Sequence, residues 1–359
     1  MRTPSIDKVI FDAFDHVSGY LDAATVGLPA RATVAAMHEA LDEWQAGRAD
    51  LATYDAAVAQ ARSAYARLVG VAPTDVAIGS QTSSLVGLVA AALPDGAEVL
   101  AVDGDFASVV FPFLAHAHRG VTVRHVPVDA LADEIRESTS LVAFSLVQSR
   151  DGSVADAARV TAAAARVGAL TLCDTTQAGW MPVDARMFDV TVCSAYKWLS
   201  APRGVAFLTV RPALVDSLPT LAAGWYAGDD VWASCYGPHM RLATSARRLD
   251  VSPAWLCWVG AAPVLELWAD ADVAAVREHA VGLADGLRAG LGLGPAGSAI
   301  VSLPDPDGKI GDHLRAAGCR VAGRAGAVRL AFHVWNDGSD LDRALTTLTA
   351  LAPLGTLVR

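Results

Sequence analysis

The chain has 359 residues, of which 53% are hydrophobic and 30 are glycine, which is enough to bury a large core. Its formal net charge of −10 argues against a nucleic-acid or anionic-membrane partner, since both attract basic surfaces. Residues 1–22 lack the apolar segment of a signal peptide, and no run of about 18 uncharged apolar residues follows. We therefore expect a cytoplasmic protein without a membrane-spanning segment.

The cysteines are odd in number and scattered, and no pair has the CxxC spacing of a zinc site or redox motif. They are Cys173, Cys193, Cys235, Cys257 and Cys319. The nine histidines likewise lack an HExxH or comparable ligand spacing. The sequence therefore predicts reduced thiols and no metal site.

The first elements in chain order are two helices, which apolar residues at helical spacing predict at 31–45 and 54–69. From about residue 75, short strands alternate with alanine-rich helices. The predicted strands are "VAIG", "EVLAVD", "LVAFSL", "ALTLCD", "VTVCS" and "GVAFLTV". Such alternation predicts an α/β fold with a largely parallel sheet covered by helices on both faces.

The alternation ends after about residue 212. A loop rich in glycine, tryptophan and tyrosine spans 222–240, and a long helical region follows from Pro253 to about Leu291. A small α+β tail is predicted from strands near 298–303 and 327–334 and from helices at 309–318 and 339–351.

Polar residues follow four of the predicted strands, and ligands of such sheets bind beyond the carboxyl ends of strands. The first strand leads into "GSQTSS", where the start of a helix favours an anion. Asp174 ends a second strand, with Gln177 three residues further on. Ser194 ends a third strand three residues before Lys197, and a fourth ends near Gln148.

Lys197 lies between two apolar strands, where a buried ammonium costs several kcal/mol unless it is paired or neutral. An anion site, a strand-end carboxylate and an imine-forming lysine together suit pyridoxal phosphate (PLP). Its chemistry needs a Schiff-base lysine and an acidic partner for the pyridinium nitrogen. Each feature alone has another interpretation: a helix cap at 80–82, a turn cap at Asp174, or a surface-loop lysine.

Asp174-x-x-Gln177, followed by Ser194-Ala-Tyr-Lys197 and a glycine-containing strand, resembles the class V aminotransferase group of fold-type I PLP enzymes. The motifs "YLDAATVGLP", "GSQTSS", "DGDFAS", "RRLDVSPAW" and "VRLAFHVWN" extend the resemblance along nearly the whole chain. It implies a large PLP-binding domain at 31–250, with a mainly parallel sheet between helices. It also implies a smaller C-terminal α+β domain at 251–359 and an N-terminal arm at 1–30 beside the active site.

The resemblance implies a role for each matching residue of the cofactor site. Lys197 would hold the cofactor as an imine and later move the Cα proton of the substrate. Asp174 would pair with the pyridinium nitrogen, Gln177 would hydrogen-bond the phenolic oxygen, and Phe106 would stack on the ring. The phosphate ligands would be Gln81, Thr82, Ser194 and Tyr196, joined across the interface of a homodimer by Ser252.

On the substrate side, the resemblance implies that Arg329 clamps the carboxylate through its planar guanidinium, the alternative being a strand-edge surface charge. Ala24 and Gln148 are further candidates for substrate binding. Four aromatic residues of the glycine-rich loop are candidates for an aromatic cage around a quaternary ammonium group, and packing at a dimer interface is the alternative. They are Trp225, Tyr226, Trp232 and Tyr236.

Several reactions are compatible with this site. A desulfurase needs a nucleophilic cysteine on a mobile loop, whereas Cys319 directly follows a predicted helix and is interpreted as a structural thiol. The motifs are most similar to the C–S lyases of ergothioneine biosynthesis in actinobacteria, which implies β-elimination from hercynylcysteine sulfoxide to give pyruvate and ammonia. A cysteine desulfurase or selenocysteine-lyase-like enzyme and a non-catalytic PLP-binding protein are the alternatives.

Overall fold

The computed structural model describes residues 8–351, so the first seven residues of the predicted N-terminal arm and the last eight of the predicted small domain lie outside it. Its α-helices are α1 (Lys8–Asp12), α2 (Arg31–Gln45), α3 (Leu51–Val69), α4 (Thr82–Ala92), α5 (Ala107–Leu114), α6 (Ala157–Val167), α7 (Trp255–Ala269), α8 (Val273–Gly290), α9 (Lys309–Ala316) and α10 (Gly338–Leu351). Its strands are β1 (Val76–Gly79), β2 (Glu98–Val102), β3 (Thr122–Val126), β4 (Thr139–Ser145), β5 (Leu170–Asp174), β6 (Val190–Ser194), β7 (Ala206–Val210), β8 (Ile300–Pro304), β9 (Ala322–Arg324) and β10 (Ala327–Ala331).

The large sheet has seven strands in the order β1-β7-β6-β5-β4-β2-β3. β7 is antiparallel to both of its neighbours, and every other neighbouring pair is parallel. All strands except β7 therefore point the same way, so the carboxyl ends of β1, β4, β5 and β6 share one edge. The predicted largely parallel sheet is confirmed, and this edge is where ligands of such sheets bind.

Two hydrophobic cores lie on the two faces of this sheet. Along β5, Leu172 packs on the face covered by α4 and α5, and the next residue, Cys173, packs on the face covered by α3, α6 and α7. Every residue of β6 and β7 is buried because both faces are covered. Burying one large aliphatic side chain stabilises the fold by about 1.5–3 kcal/mol, so these central strands form a rigid base for their carboxyl ends.

A second sheet of three antiparallel strands, in the order β8-β10-β9, lies in the C-terminal part. Residues of α8, α9 and α10 pack on it in a third core. The N-terminal segment joins this sheet through bridges from Tyr20 to Arg320 and from Asp22 to Ala331. The residues that precede α2 are therefore anchored beside β10.

Some predicted elements differ from the structure. The predicted helical region from Pro253 to Leu291 is two helices, because Asp272 accepts hydrogen bonds from the amides of Ala274 and Ala275 and starts α8. β3 was not predicted, since it is an edge strand with polar residues and one fully buried position. None of the helices in residues 8–351 is long and apolar enough to cross a membrane. α7 follows residue 250 but packs against α2 and α3, which belong to the predicted large domain. The predicted domain boundary at residue 250 therefore stays a prediction.

Candidate active site

The carboxyl edge of the large sheet brings together residues that are far apart in the sequence. β5 ends at Asp174 and β6 ends at Ser194, and Lys197 follows three residues later. Asp174 is 4% exposed and Lys197 is 6% exposed, so both ionisable groups are buried. A buried carboxylate and a buried amine at the same sheet edge are the functional core of this candidate site.

Burial changes the acid–base properties of both groups. Desolvation lowers the pKa of Lys197 to about 8, although the Asp174 carboxylate opposes this shift. Desolvation raises the pKa of Asp174 to about 6, against the hydrogen bonds that it accepts from Thr176. Lys197 therefore presents far more neutral amine at pH 7 than an ordinary lysine, as a nucleophile or imine-forming group requires.

The predicted anion site is at the start of α4. The Thr82 and Ser194 hydroxyl oxygens are 2.9 Å apart, which joins the α4 N-terminus to the end of β6. Gln81 occupies the N-cap position without a side-chain capping hydrogen bond and is exposed. The backbone amides of the first turn of α4 are thus available to a phosphate. Tyr196 is half-buried, with the Arg203 guanidinium carbon 5.3 Å from its ring centroid.

Phe106 lies on the exposed side of Lys197, and the Lys197 Nζ is 5.1 Å from its ring centroid. The residue before it, Asp105, was not assigned a role from the sequence. Its carboxylate accepts hydrogen bonds from the Phe106 amide (2.6 Å), the Ser145 amide (2.8 Å) and the Gln148 Nε2 (3.3 Å). Asp105 therefore fixes the Phe106 segment to the end of β4, and the "DGDF" motif was its only sequence signal.

Gln177 has a fixed amide orientation. Its Oε1 accepts a 2.6 Å hydrogen bond from the Trp198 indole, which can only donate, and its Nε2 donates to the Ala24 carbonyl at 3.0 Å. One N–H of Gln177 is left for an acceptor such as a phenolic oxygen. The Trp198 carbonyl in turn accepts from His333 Nε2 at 2.8 Å. Trp198 and His333 were missed because neither spacing nor residue type indicates these contacts.

Arg329 is only 2% exposed, so it is not a strand-edge surface charge. Its guanidinium donates to the Ser149 carbonyl and, at 2.8 Å, to the Thr25 hydroxyl. Burial lowers the pKa of Arg329 to about 10, and its Nε has no hydrogen-bond partner among residues 8–351. A buried guanidinium with a free donor is suited to a carboxylate ligand. The other substrate candidate here, Gln148, is bound to Asp105.

The aromatic candidates Trp225 and Tyr226 contact each other, and Tyr226 also contacts α3. The Tyr226 hydroxyl donates to Asp55 of α3 at 3.1 Å, and the Trp225 ring centroid is 5.3 Å from that of Tyr226. Tyr226 and Trp232 line a separate cavity of about 470 Å³ beside α3. Ser252 is exposed just before α7. The roles of Trp225, Tyr226 and Ser252 stay predictions.

One group of possible metal ligands occurs in the part of the chain that the structure describes. His16, Asp337 and Asp340 have ligand atoms within 4.8 Å of one another. The Asp340 oxygens accept from the Gly19 amide at 2.6 Å and from the Asn336 side chain at 2.9 Å. These contacts give Asp340 a structural role at the junction of the N-terminal segment and α10.

The residues of the carboxyl edge fit PLP. A lysine with a lowered pKa can form the imine, and a buried carboxylate with a raised pKa would be stabilised by a pyridinium. Two hydroxyls and the start of α4 suit the phosphate. The fold and this site together define a fold-type I PLP enzyme.

Comparison with known proteins identifies the family. The family model described as "Aminotransferase class-V" matches residues 19–302, and the chain therefore belongs to the class V aminotransferase family and is a PLP-dependent enzyme. The chain is 28% identical over 311 residues to an uncharacterized aminotransferase of Bacillus subtilis, YcbU, covering 81% of this chain and 82% of that protein. It is 29% identical over 287 residues to a kynureninase of Deinococcus radiodurans, covering 74% of this chain and 69% of that protein.

Solved structures with the same fold include two enzymes of sulfur chemistry. The cysteine desulfurase of Thermococcus onnurineus NA1 superposes with a TM-score of 0.84 at 19% identity, covering 98% of this chain and 99% of that one. The cystine C–S lyase C-DES, in complex with cysteine persulfide, superposes with a TM-score of 0.84 at 20% identity, covering 94% of this chain and 98% of that one. At these identities the likeness establishes the fold, and the predicted fold-type I architecture is confirmed.

Proposed function

We propose that this protein is a C–S lyase that performs β-elimination on the sulfoxide of a cysteine S-conjugate, with hercynylcysteine sulfoxide as the substrate. One observation carries the proposal. The site has an amine base, Lys197, and a residue to bind a carboxylate, Arg329, but no cysteine lies between Cys319 and Arg329 to act as the nucleophile of a desulfurase. Cys319 itself is 2% exposed and packs in the third core, and burial raises its pKa. A buried, protonated thiol is not a nucleophile for persulfide chemistry.

PLP, when bound, supplies the electron sink that stabilises a carbanion at the substrate Cα. Arg329 binds the substrate carboxylate through its guanidinium and thereby orients the Cα–H bond. The amine of Lys197, whose pKa of about 8 lies close to working pH, takes the proton from Cα. Loss of that proton allows the C–S bond at Cβ to break with release of a sulfenate, and hydrolysis of the remaining three-carbon fragment yields pyruvate and ammonia.

The surrounding residues hold this geometry. Asp174, with a pKa of about 6, is largely ionised at pH 7 and would keep a ring nitrogen protonated. Gln177 presents an N–H because Trp198 occupies its amide oxygen. Thr82 and Ser194 would bind the phosphate at the start of α4. Each of these roles keeps the reacting atoms in place without taking part in the proton transfer.

A cysteine desulfurase is the second candidate. A probable cysteine desulfurase of Methanothermobacter thermautotrophicus is 29% identical over 242 residues, covering 62% of this chain and 60% of that protein. Cys235 is partly exposed in the loop after Tyr226 and would be the thiol to test. Family membership in an enzyme class leaves the non-catalytic alternative without support.

We further propose a homodimer in which the partner subunit completes the site. Ser252 is exposed, and the Tyr226 hydroxyl is bound to Asp55 of α3, so a partner subunit is the proposed route by which these residues take part in a site. Several large apolar side chains of the described residues are exposed, and a partner subunit would cover those that lie in its interface. They are Trp44, Phe111, Trp232 and Met240.

The experiment supplies hercynylcysteine sulfoxide to the holoenzyme and couples pyruvate release to lactate dehydrogenase, with sulfide release from cysteine measured in parallel. We expect pyruvate from the sulfoxide, at rates that Cys319→Ala and Cys235→Ala leave unchanged. Sulfide release from cysteine that either substitution abolishes, without pyruvate from the sulfoxide, would establish the desulfurase instead.

A further inference from the structure

A second arginine lies beside Arg329 because of the hairpin formed by β9 and β10. The two strands are joined by the two-residue turn 325–326, where both residues have positive φ, as a tight hairpin turn requires. The pairing sets Arg324 opposite Ala327 and Ala322 opposite Arg329. Directly opposite residues share a face, and so do residues two apart on one strand. Arg324 and Arg329 therefore lie on the same face as diagonal neighbours.

The two guanidinium groups converge on one hydroxyl. Thr25 Oγ1 accepts from Arg329 Nη2 at 2.8 Å and from Arg324 Nη2 at 3.4 Å. Their other hydrogen bonds go to the carbonyls of Ser149 and Gly323, so every acceptor among residues 8–351 is a neutral oxygen. Arg329 is buried while Arg324 is exposed. The pair thus extends from the base of the site to its solvent side.

The charge around these two groups is unbalanced. Burial lowers the pKa of Arg329, and the Asp22 carboxylate opposes that shift. Asp22 in turn interacts with three arginines: Arg320, Arg324 and Arg329. Burial is the main cause of the lowered pKa of Lys197, and the positive charges of Arg324 and Arg329 lower it further. Both guanidinium groups therefore act electrostatically on the reacting amine. In a chain with a formal net charge of −10, this local excess of positive charge favours an anionic ligand.

We propose that Arg324 is a second anion-binding residue of the substrate site, and that the substrate is an amino acid with another anionic group besides its α-carboxylate. The proposal rests on the proposed function in that Arg329 takes the α-carboxylate. The cofactor phosphate does not need Arg324, because Thr82 and Ser194 form its predicted site at α4. A betaine carboxylate, such as the one on hercynylcysteine sulfoxide, supplies the second anion, whereas free cysteine supplies none.

The test measures the binding of two probes to the holoenzyme by isothermal titration calorimetry: glutarate, with two carboxylates, and butyrate, with one. We expect glutarate to bind roughly tenfold more tightly, as one added charge-assisted contact provides. Arg324→Gln should reduce glutarate affinity to that of butyrate and leave butyrate affinity unchanged. The matched control is Arg315→Gln on α9, which removes the same charge from an arginine paired with Asp312 and should change neither affinity.

Equal affinity of the two probes for the unsubstituted protein would overturn the proposal, as would an Arg324→Gln variant that behaves like Arg315→Gln. Failure of the C–S lyase proposal is a different result. It would be the absence of pyruvate from the sulfoxide while the glutarate preference and its loss in Arg324→Gln persist. Circular dichroism of the variants establishes that each is folded, which the exposed position of Arg324 leads us to expect.

Discussion

At Lys197, an amine lies in a pocket where solvent reaches 6% of the residue. Desolvation brings its pKa to about 8, and the Asp174 carboxylate limits the shift. In the cofactor-free protein the charged form of this lysine is therefore destabilised by folding. Forming an imine removes that charge, so the same burial that costs stability in the free protein favours cofactor attachment.

The first prediction concerns the stability cost of this lysine. Burial lowers the pKa of Lys197 from 10.5 in the unfolded chain to about 8 in the folded protein, so the cost is full below pH 8 and disappears as the pH rises towards 10.5. Lys197→Met should raise the free energy of unfolding of cofactor-free protein at pH 7 by roughly 3 kcal/mol. Urea denaturation at pH 7 and pH 10 measures it.

The gain in the free energy of unfolding of Lys197→Met should shrink as the pH rises from 8 to 10, because the Lys197 amine of the parent protein becomes neutral and no longer carries a buried charge. Lys309→Met is the control, since Lys309 is exposed on α9 and pairs with Asp307. A Lys197→Met variant that is less stable than the parent at pH 7, or a gain independent of pH, would contradict this account.

Candidate site residues could be found from the sequence where chemistry dictates the residue type, although their roles stay predictions. An imine requires Lys197, a ring nitrogen requires Asp174, and a carboxylate clamp requires Arg329; all three are buried, the first two at the carboxyl edge of the sheet and Arg329 on β10. Trp198 and Asp105 could not be found this way. Their roles depend on where an indole N–H and a carboxylate point, which strand spacing does not determine.

At the scale of elements, the start of α4 and the end of β6 together form the proposed phosphate site. Thr82 opens the helix and is buried, and its hydroxyl contacts that of Ser194. The helix dipole and the free amides of the first turn add to these two hydroxyls. If the cofactor phosphate binds here as proposed, its affinity should depend on the junction of the two elements rather than on either alone.

The second prediction is that Thr82→Val weakens PLP binding by about tenfold, because a hydroxyl donor is lost without a change of side-chain size. Titration of cofactor-free protein with PLP, followed by absorbance, measures the dissociation constant. Ser84→Ala is the control on the same helical turn, since the Ser84 hydroxyl donates to the Gln81 carbonyl on the exposed side. Equal affinities of the two variants would argue against a phosphate at Thr82.

The elements themselves were predictable to different degrees. Strands buried on both faces, such as β6 and β7, have continuous apolar sequences and were identified. β9 was missed because it has three residues, two of them exposed, and gains its strand conformation only by pairing with β10. That omission also concealed the diagonal pairing of Arg324 with Arg329.

At the scale of the whole molecule, a buried ion pair connects three segments. Arg62 of α3 and Asp250, before α7, are 2.6 Å apart and almost fully buried. Asp250 also accepts from the Ile78 amide at 2.8 Å, and Arg62 donates to the Val76 carbonyl. The pair thereby fixes α3, β1 and the segment that leads into α7 relative to one another.

The third prediction is that Asp250→Asn lowers the free energy of unfolding by about 3–5 kcal/mol, since it leaves the Arg62 charge buried and unpaired. Asp270→Asn is the control, because Asp270 pairs with Arg67 at the surface and should cost less than about 1 kcal/mol. Urea denaturation of both variants decides this. Equal losses of unfolding free energy in the two variants would contradict the prediction and would mean that Arg62 finds another partner or reaches solvent.

The proposed mechanism requires that Lys197 carries PLP. The most direct measurement is borohydride reduction of the holoenzyme, followed by proteolysis and mass spectrometry to locate the pyridoxyl group. The chain has only two other lysines, Lys8 and Lys309, so the assignment is unambiguous. We predict the label on Lys197 alone and its complete absence from Lys197→Ala. A label on Lys8 or Lys309, or none after incubation with PLP, would contradict the claim.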